Sequence, residues 1–142
     1  MNKQYLDVTQ EAGAALFARN ISGEVIMLNL LRFREVADYT AHPELAPSDP
    51  ISGEAAYQIY MRYTAPFLQE SGGSLLFSGA GRQYLIGPQE EQWDMVLLVR
   101  QNSLADFMAF TSNEAYQAIL GHRTAALADS RLLPMVEFKD GM

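Results

Sequence analysis

The chain has 142 residues, 49% of them hydrophobic, and a formal net charge of −7, which fits one domain with a real core and excludes a disordered chain. No stretch places more than two Lys or Arg close together, so neither nucleic acid nor an anionic membrane surface is an expected partner. The absence of cysteine excludes disulfides, thiolate nucleophiles, zinc ribbons and iron–sulfur ligation.

The opening Met1–Tyr5 carries no apolar signal run, and no apolar stretch approaches the ~20 residues of a membrane span, so a cytoplasmic protein is expected. A short helix is predicted over 7–18, capped by Asp7 or Thr9, with Leu16 and Phe17 on its apolar side. Glu24 to Leu31 reads as an apolar strand. Residues 34–53 carry Pro43, Pro47 and Pro50 and no period. A loop this long in a compact domain is functional or disordered, and the expectation is a cover over a pocket mouth.

A helix follows from Gly53 to Glu70, with Ala56, Tyr60, Tyr63 and Phe67 at helical spacing and Pro66 kinking or ending it. Gly72-Gly73 breaks the chain. Ser74 to Gly87 reads as one long strand or a bent pair, bent at Gly79 and Gly81. Pro88 to Gln92 is a polar turn and Trp93 to Arg100 a dense apolar strand. Ser103-Leu104-Ala105-Asp106 resembles a capping box with Asp in place of Glu. Thr111-Ser112-Asn113-Glu114 fits the capping box proper and starts a helix through Tyr116, Ile119 and Leu120, with Gly121 as an interruption. Arg131 to Phe138 closes the chain as a strand, and Pro134 inside it argues for a sheet edge.

The order is β-α-β-β-α-β after an N-terminal helical extension (1–22), the ferredoxin-like α+β pattern over a core of 23–139, within a single domain of 1–142. In such a sheet the first and third strands are central. Here both are apolar on their two faces, while the helices cover one. The simplest cover for the other is a second copy of the chain, a homodimer; the N-terminal helix or the long loop is the alternative.

Asn29–Phe33, Trp93–Arg100 and above all His122–Leu132 (His-Arg-Thr-Ala-Ala-Leu followed by Ala-Asp-Ser-Arg-Leu) resemble the family called domain of unknown function 1330, over roughly residues 24–138. The resemblance implies a ferredoxin-like protomer forming a dimeric α/β barrel. It implies no catalytic residues. The 34–53 segment is longer than in the shorter members of that family.

Several residues are candidates for chemistry. His42 and His122 lack the spacing of a metal site, so neither a metal nor a cofactor is expected. Gly79-Ala80-Gly81 is not followed by a helix and reads as a bend, not a phosphate loop. Asn29, in mid-strand, is either a hydrogen-bond partner across the sheet or a pocket-lining amide. Arg32 ends the opposite face of that strand. Tyr57, Tyr60 and Tyr63 belong to the core or line a pocket with their hydroxyls, and Tyr39 has no packing reason visible in the sequence. Carried through Gly121, a helical wheel of ~100° per residue puts Arg123 in one stripe with Tyr116, Leu120 and Leu127. Arg123 then either pairs with Asp129, with Arg131 sharing the acid, or fixes a carboxylate or carbonyl of a ligand. The functional expectation is a small-molecule-binding protein with a cavity between sheet and helices or inside the dimer barrel. Asn29, Arg32, Tyr60, Arg123, Asp129 and Arg131 are its candidate ligand-binding residues. The alternatives are a metal-independent enzyme, working by proton transfer or cofactor-free oxygenation on a small carbonyl or carboxylate compound with His122 as the base, and a purely structural dimer.

Overall fold

The computed structural model describes residues 3–140. Met1 and Asn2 of the expected extension, and Gly141 and Met142 of the expected domain, lie outside the described residues. Four strands, β1 (Val25–Phe33), β2 (Ser74–Ala80), β3 (Met95–Gln101) and β4 (Leu127–Met135), form one antiparallel sheet in the order β2-β3-β1-β4. The connections run through α2 (Gly53–Glu70) between β1 and β2, and through α3 (Leu104–Ser112), α4 (Glu114–Ile119) and α5 (Gly121–Ala126) between β3 and β4. This is the ferredoxin-like arrangement that the element order predicts, with β1 and β3 at the centre and Pro134 on the edge strand.

The helices start where side chains satisfy their free N–H groups. Ser52 Oγ accepts from the Ala55 N–H at 3.0 Å, Ser103 Oγ from Asp106, and Asn113 Oδ1 from Ala115 and Tyr116. Pro66 does not end α2, which runs on to Glu70. The core lies between this helical layer and one sheet face, around Leu31, Ala56, Tyr57, Tyr60, Leu97, Tyr116, Ala126 and Leu127.

Four boundaries differ from expectation. The N-terminal helix is α1 (Gln10–Ala18), capped by Thr9; none of its residues is buried, and Phe17 is 55% exposed, so its apolar side faces out. The strand predicted over 74–87 ends at Ala80; at Gly81 the chain passes the Trp93 carbonyl so closely that a Cβ would lie 2.9 Å from it. Beyond it the pairing becomes irregular, through the Trp93 N–H to the Arg82 carbonyl and a single Gln83–Gln92 bridge. The second capping box is displaced: Thr111 belongs to α3, and the cap of α4 is Asn113. The last strand begins at Leu127, four residues before the expected start. The Tyr116-to-Leu127 helical stripe is therefore broken twice, at Leu120 and after Ala126.

On the sheet face away from the helices, the register aligns Phe77, Leu98, Leu28 and Leu133 in one row across all four strands. Leu28 and Leu98 are half-buried, while Phe77 and Leu133 are 53% and 55% exposed. The helix α1 leaves this row open.

Candidate functional site

The split βαβ order brings four element ends together: the end of β1, the start of α2, the end of β2 and the start of β3. A cleft of about 480 Å³ lies there, lined by Phe33, Arg34, Ser52, Glu54, Ser78, Gly79, Ala80, Arg82, Asp94 and Met95. Ser78, Ala80 and Met95 share the helix side of the sheet by register, so the cleft sits between that face and the beginning of α2. Its volume is that of an ordinary small-molecule pocket.

Close backbone contacts hold the cleft's shape. The Arg34 N–H donates to the Ala126 carbonyl at 2.8 Å, and the Gly53 N–H to the Arg34 carbonyl at 3.0 Å. A Cβ at Gly53 would lie 2.2 Å from the Arg34 carbonyl oxygen and 2.6 Å from that of Ala126. Only glycine allows α2 to begin this close to the end of β1. On the other wall the Asp94 carboxylate accepts from the Phe33 N–H at 2.8 Å and faces the exposed Arg82 guanidinium at 3.4 Å. Arg34 differs from Arg82: among the described residues its Nε is buried without a hydrogen-bond partner. An unsatisfied buried donor costs about 1–3 kcal/mol.

None of the site residues expected from sequence lines this cleft; they fall into separate groups. His122 is buried, its Nδ1 hydrogen-bonded to the Tyr39 hydroxyl at 2.7 Å, with the Tyr63 ring 5.9 Å away. Burial pushes the imidazole below its ordinary pKa and the Tyr39 hydroxyl above its own. The middle of the 34–53 segment is laid over this histidine and not over the cleft mouth. Gly121, having no Cβ, lets the His42 ring and Leu45 approach its backbone.

Arg123 does not pair with Asp129. It donates to the Leu6 carbonyl at 2.8 Å and reaches Ser130 Oγ at 3.4 Å. The reason is strand alternation: Ser130 points to the helix side and Asp129 away from it. Arg123 also lies near a buried tyrosine cluster in which the Tyr60 and Tyr116 hydroxyls are 2.6 Å apart. Burial raises the Tyr57 and Tyr116 pKa values strongly, and the Arg123 charge offsets part of each rise.

Arg32, Asp129 and Arg131 meet on the opposite face. The buried Asp129 carboxylate accepts from the Tyr5 N–H at 2.9 Å, its neighbour Ser130 N–H at 2.8 Å and Arg131 at 2.7 Å, with Arg32 at 3.9 Å. The Arg131 guanidinium lies between the rings of Tyr5 and Trp93, 4.8 and 4.9 Å from their centroids. Asn29 stands apart, its amide donating to the Met27 carbonyl at 3.2 Å. The cleft residues themselves carry no motif. The available signal was the element order, which already gathers Phe33, Ser52, Ala80 and Asp94 at one end of the sheet.

The profile of the family described as domain of unknown function (DUF1330) matches residues 49–136. The match begins later than the expected residue 24 and leaves β1 outside it. The crystal structure of methylated RPA0582 protein is 33% identical in sequence, with a TM-score of 0.85 over 98% of this chain and 98% of that one. A second structure of RPA0582, a protein of unknown function from Rhodopseudomonas palustris, is 34% identical, with a TM-score of 0.82 over 96% and 99% of the two chains. A dimeric ferredoxin-like protein of unknown function from Thermobifida fusca is far more remote, at 12% identity and a TM-score of 0.40 over 80% and 91%. No curated protein matches the chain. With the profile covering more than half of its length, the chain belongs to the DUF1330 family.

Proposed function

We propose that this protein is a small-molecule-binding domain whose ligand occupies the cleft between the sheet and the start of α2. The observation that carries the reading is the cleft itself: about 480 Å³, with Phe33, Met95 and Ala80 as apolar wall and Arg34, Arg82, Glu54, Asp94, Ser52 and Ser78 as polar and charged groups. Binding without chemistry is favoured over catalysis because His122, the expected base, is not in the lining and has one ring nitrogen bonded to Tyr39. A metabolite panel screened by thermal shift, with hits mapped by amide chemical shifts, tests the reading. Hits should move the amides of Phe33, Ala80 and Met95, and Ala80→Trp, which fills the cleft from an exposed position, should remove them without lowering the melting temperature. Hits that map elsewhere, or that survive Ala80→Trp, would sink it.

We further infer that the working unit is a homodimer closed over the open sheet face. The Phe77-Leu98-Leu28-Leu133 row supports this. An apolar sheet face needs a second layer, and a two-fold contact lets each copy supply it to the other. The cytoplasm is the proposed compartment, since a cysteine-free chain asks nothing of an oxidising one.

A further inference from the structure

The cleft is lined by a cation that has no carboxylate within ion-pair distance among the described residues; the Asp38 carboxyl, held by Thr40, feels its charge only from further off. Arg34 follows the last residue of β1, and its backbone is clamped on both sides, by Ala126 and by Gly53. Its side chain lines the cleft. Among the described residues the buried Nε has no hydrogen-bond partner, and no carboxylate forms an ion pair with its guanidinium. The second arginine of the lining, Arg82, faces Asp94 at 3.4 Å with its side chain 71% exposed. A guanidinium cannot shed its charge, and a buried donor without an acceptor is unfavourable.

We propose that Arg34 is the anchor for the carboxylate of a small organic acid whose apolar body lies against Phe33 and Met95. This rests on the reading of the cleft as a ligand site. Three features select the class. The planar fork of a guanidinium matches a carboxylate in two parallel hydrogen bonds. Phe33 and Met95, within a mostly polar lining, offer apolar contact to a hydrocarbon or aromatic body. Third, negative charge already surrounds the guanidinium: Asp94 is engaged by Arg82 and the Phe33 N–H, Glu54 stands exposed in the lining, and the Asp38 carboxyl feels the Arg34 charge. That surrounding negative charge favours a monoanion over a dianion, which it repels more strongly. The chain's net charge of −7 gives anions no general attraction, so recognition must be local.

The test is an NMR titration of the 15N-labelled protein with hexanoate, hexanamide and inorganic phosphate, following arginine Nε–H signals together with backbone amides. Hexanoate should shift the Arg34 Nε–H signal and the amides of Phe33, Gly53 and Ala80. Hexanamide and phosphate should bind at least about tenfold more weakly, since neither offers a singly charged fork acceptor on an apolar body. Arg34→Gln should weaken hexanoate by about tenfold or more while the remaining spectrum stays in place. Equal binding of hexanoate and hexanamide, or unchanged binding of hexanoate by Arg34→Gln, would overturn the anchor yet leave the cleft standing as a ligand site. If hexanoate moves no cleft signal the anchor is wrong, and if hexanamide moves none either, the cleft reading falls with it. Should Arg34→Gln fail to fold, the comparison of acid and amide at the wild-type Arg34 Nε–H decides alone.

Discussion

His122 shows how a single side chain couples burial to pH. Its imidazole is enclosed by Tyr39, Tyr63 and the backbone of α5, and desolvation lowers its pKa from the ordinary 6.5. The unfolded chain therefore takes up a proton at this residue before the folded chain does. Stability that is complete above about 6.5 should fall as the pH drops from there through the lowered folded-state value, and change no further below it. Urea unfolding at a series of pH values should show this slope in the wild type and a flatter one in His122→Gln. Identical slopes would show that burial of His122 does not act on its proton. Asp129 is a buried carboxylate held in place by two backbone N–H groups and Arg131. Removing one partner of such an arrangement is far more damaging than never building it.

At the scale of elements, the decisive contact is the start of α2 against the end of β1. Alanine is a better helix former than glycine by about 1 kcal/mol, so at an ordinary exposed first-turn position Gly→Ala is neutral or stabilising. At Gly53 the new methyl would lie 2.2 Å from the Arg34 carbonyl and 2.6 Å from the Ala126 carbonyl, both backbone atoms that cannot step aside singly. Gly53→Ala should therefore destabilise by at least about 2 kcal/mol, as overpacking does, and shift the amides of Phe33 and Arg34. A urea midpoint equal to or above that of the wild type would refute the close-approach argument. Gly121 makes a second such close approach: a Cβ there would meet the His42 ring at 2.6 Å. Thus one glycine seats the cleft's helix and another seats the loop over His122.

At the scale of the whole molecule, the two faces of the sheet have different fates. One is covered by α2 to α5. The other presents the Phe77-Leu98-Leu28-Leu133 row, flanked at one end by the Tyr5-Arg131-Trp93 stack. Light scattering at micromolar concentration should give twice the 15.8 kDa chain mass, and Leu98→Glu should halve it. Because Leu98 points away from the helices, the variant should keep its helical circular-dichroism signal. A wild-type monomer, or a dimer indifferent to Leu98→Glu, would show that the row is not the interface.

The sequence by itself determined the layout. Two-sided apolar strands, helical spacing in 53–70, and Pro134 at an edge give the strand order and the central pair, because periodicity and backbone chemistry are local properties, while β2 and β4 begin or end elsewhere than expected. It located capping residues less well, since Thr111 and Asn113 both present acceptors and only the chain's actual exit from α3 selects Asn113. Tertiary structure decided the rest. Whether Arg123 meets Asp129 depends on β4 starting at Leu127, which alternation then converts into opposite faces for Asp129 and Ser130. A cavity between sheet and helices was expected, but its lining was not legible, because it comes from residues 33, 34, 52, 54, 78–80, 82, 94 and 95, joined by no spacing. Arg34 is singled out only by what fails to surround it, and a missing partner is a property of three-dimensional packing that no one-dimensional pattern records.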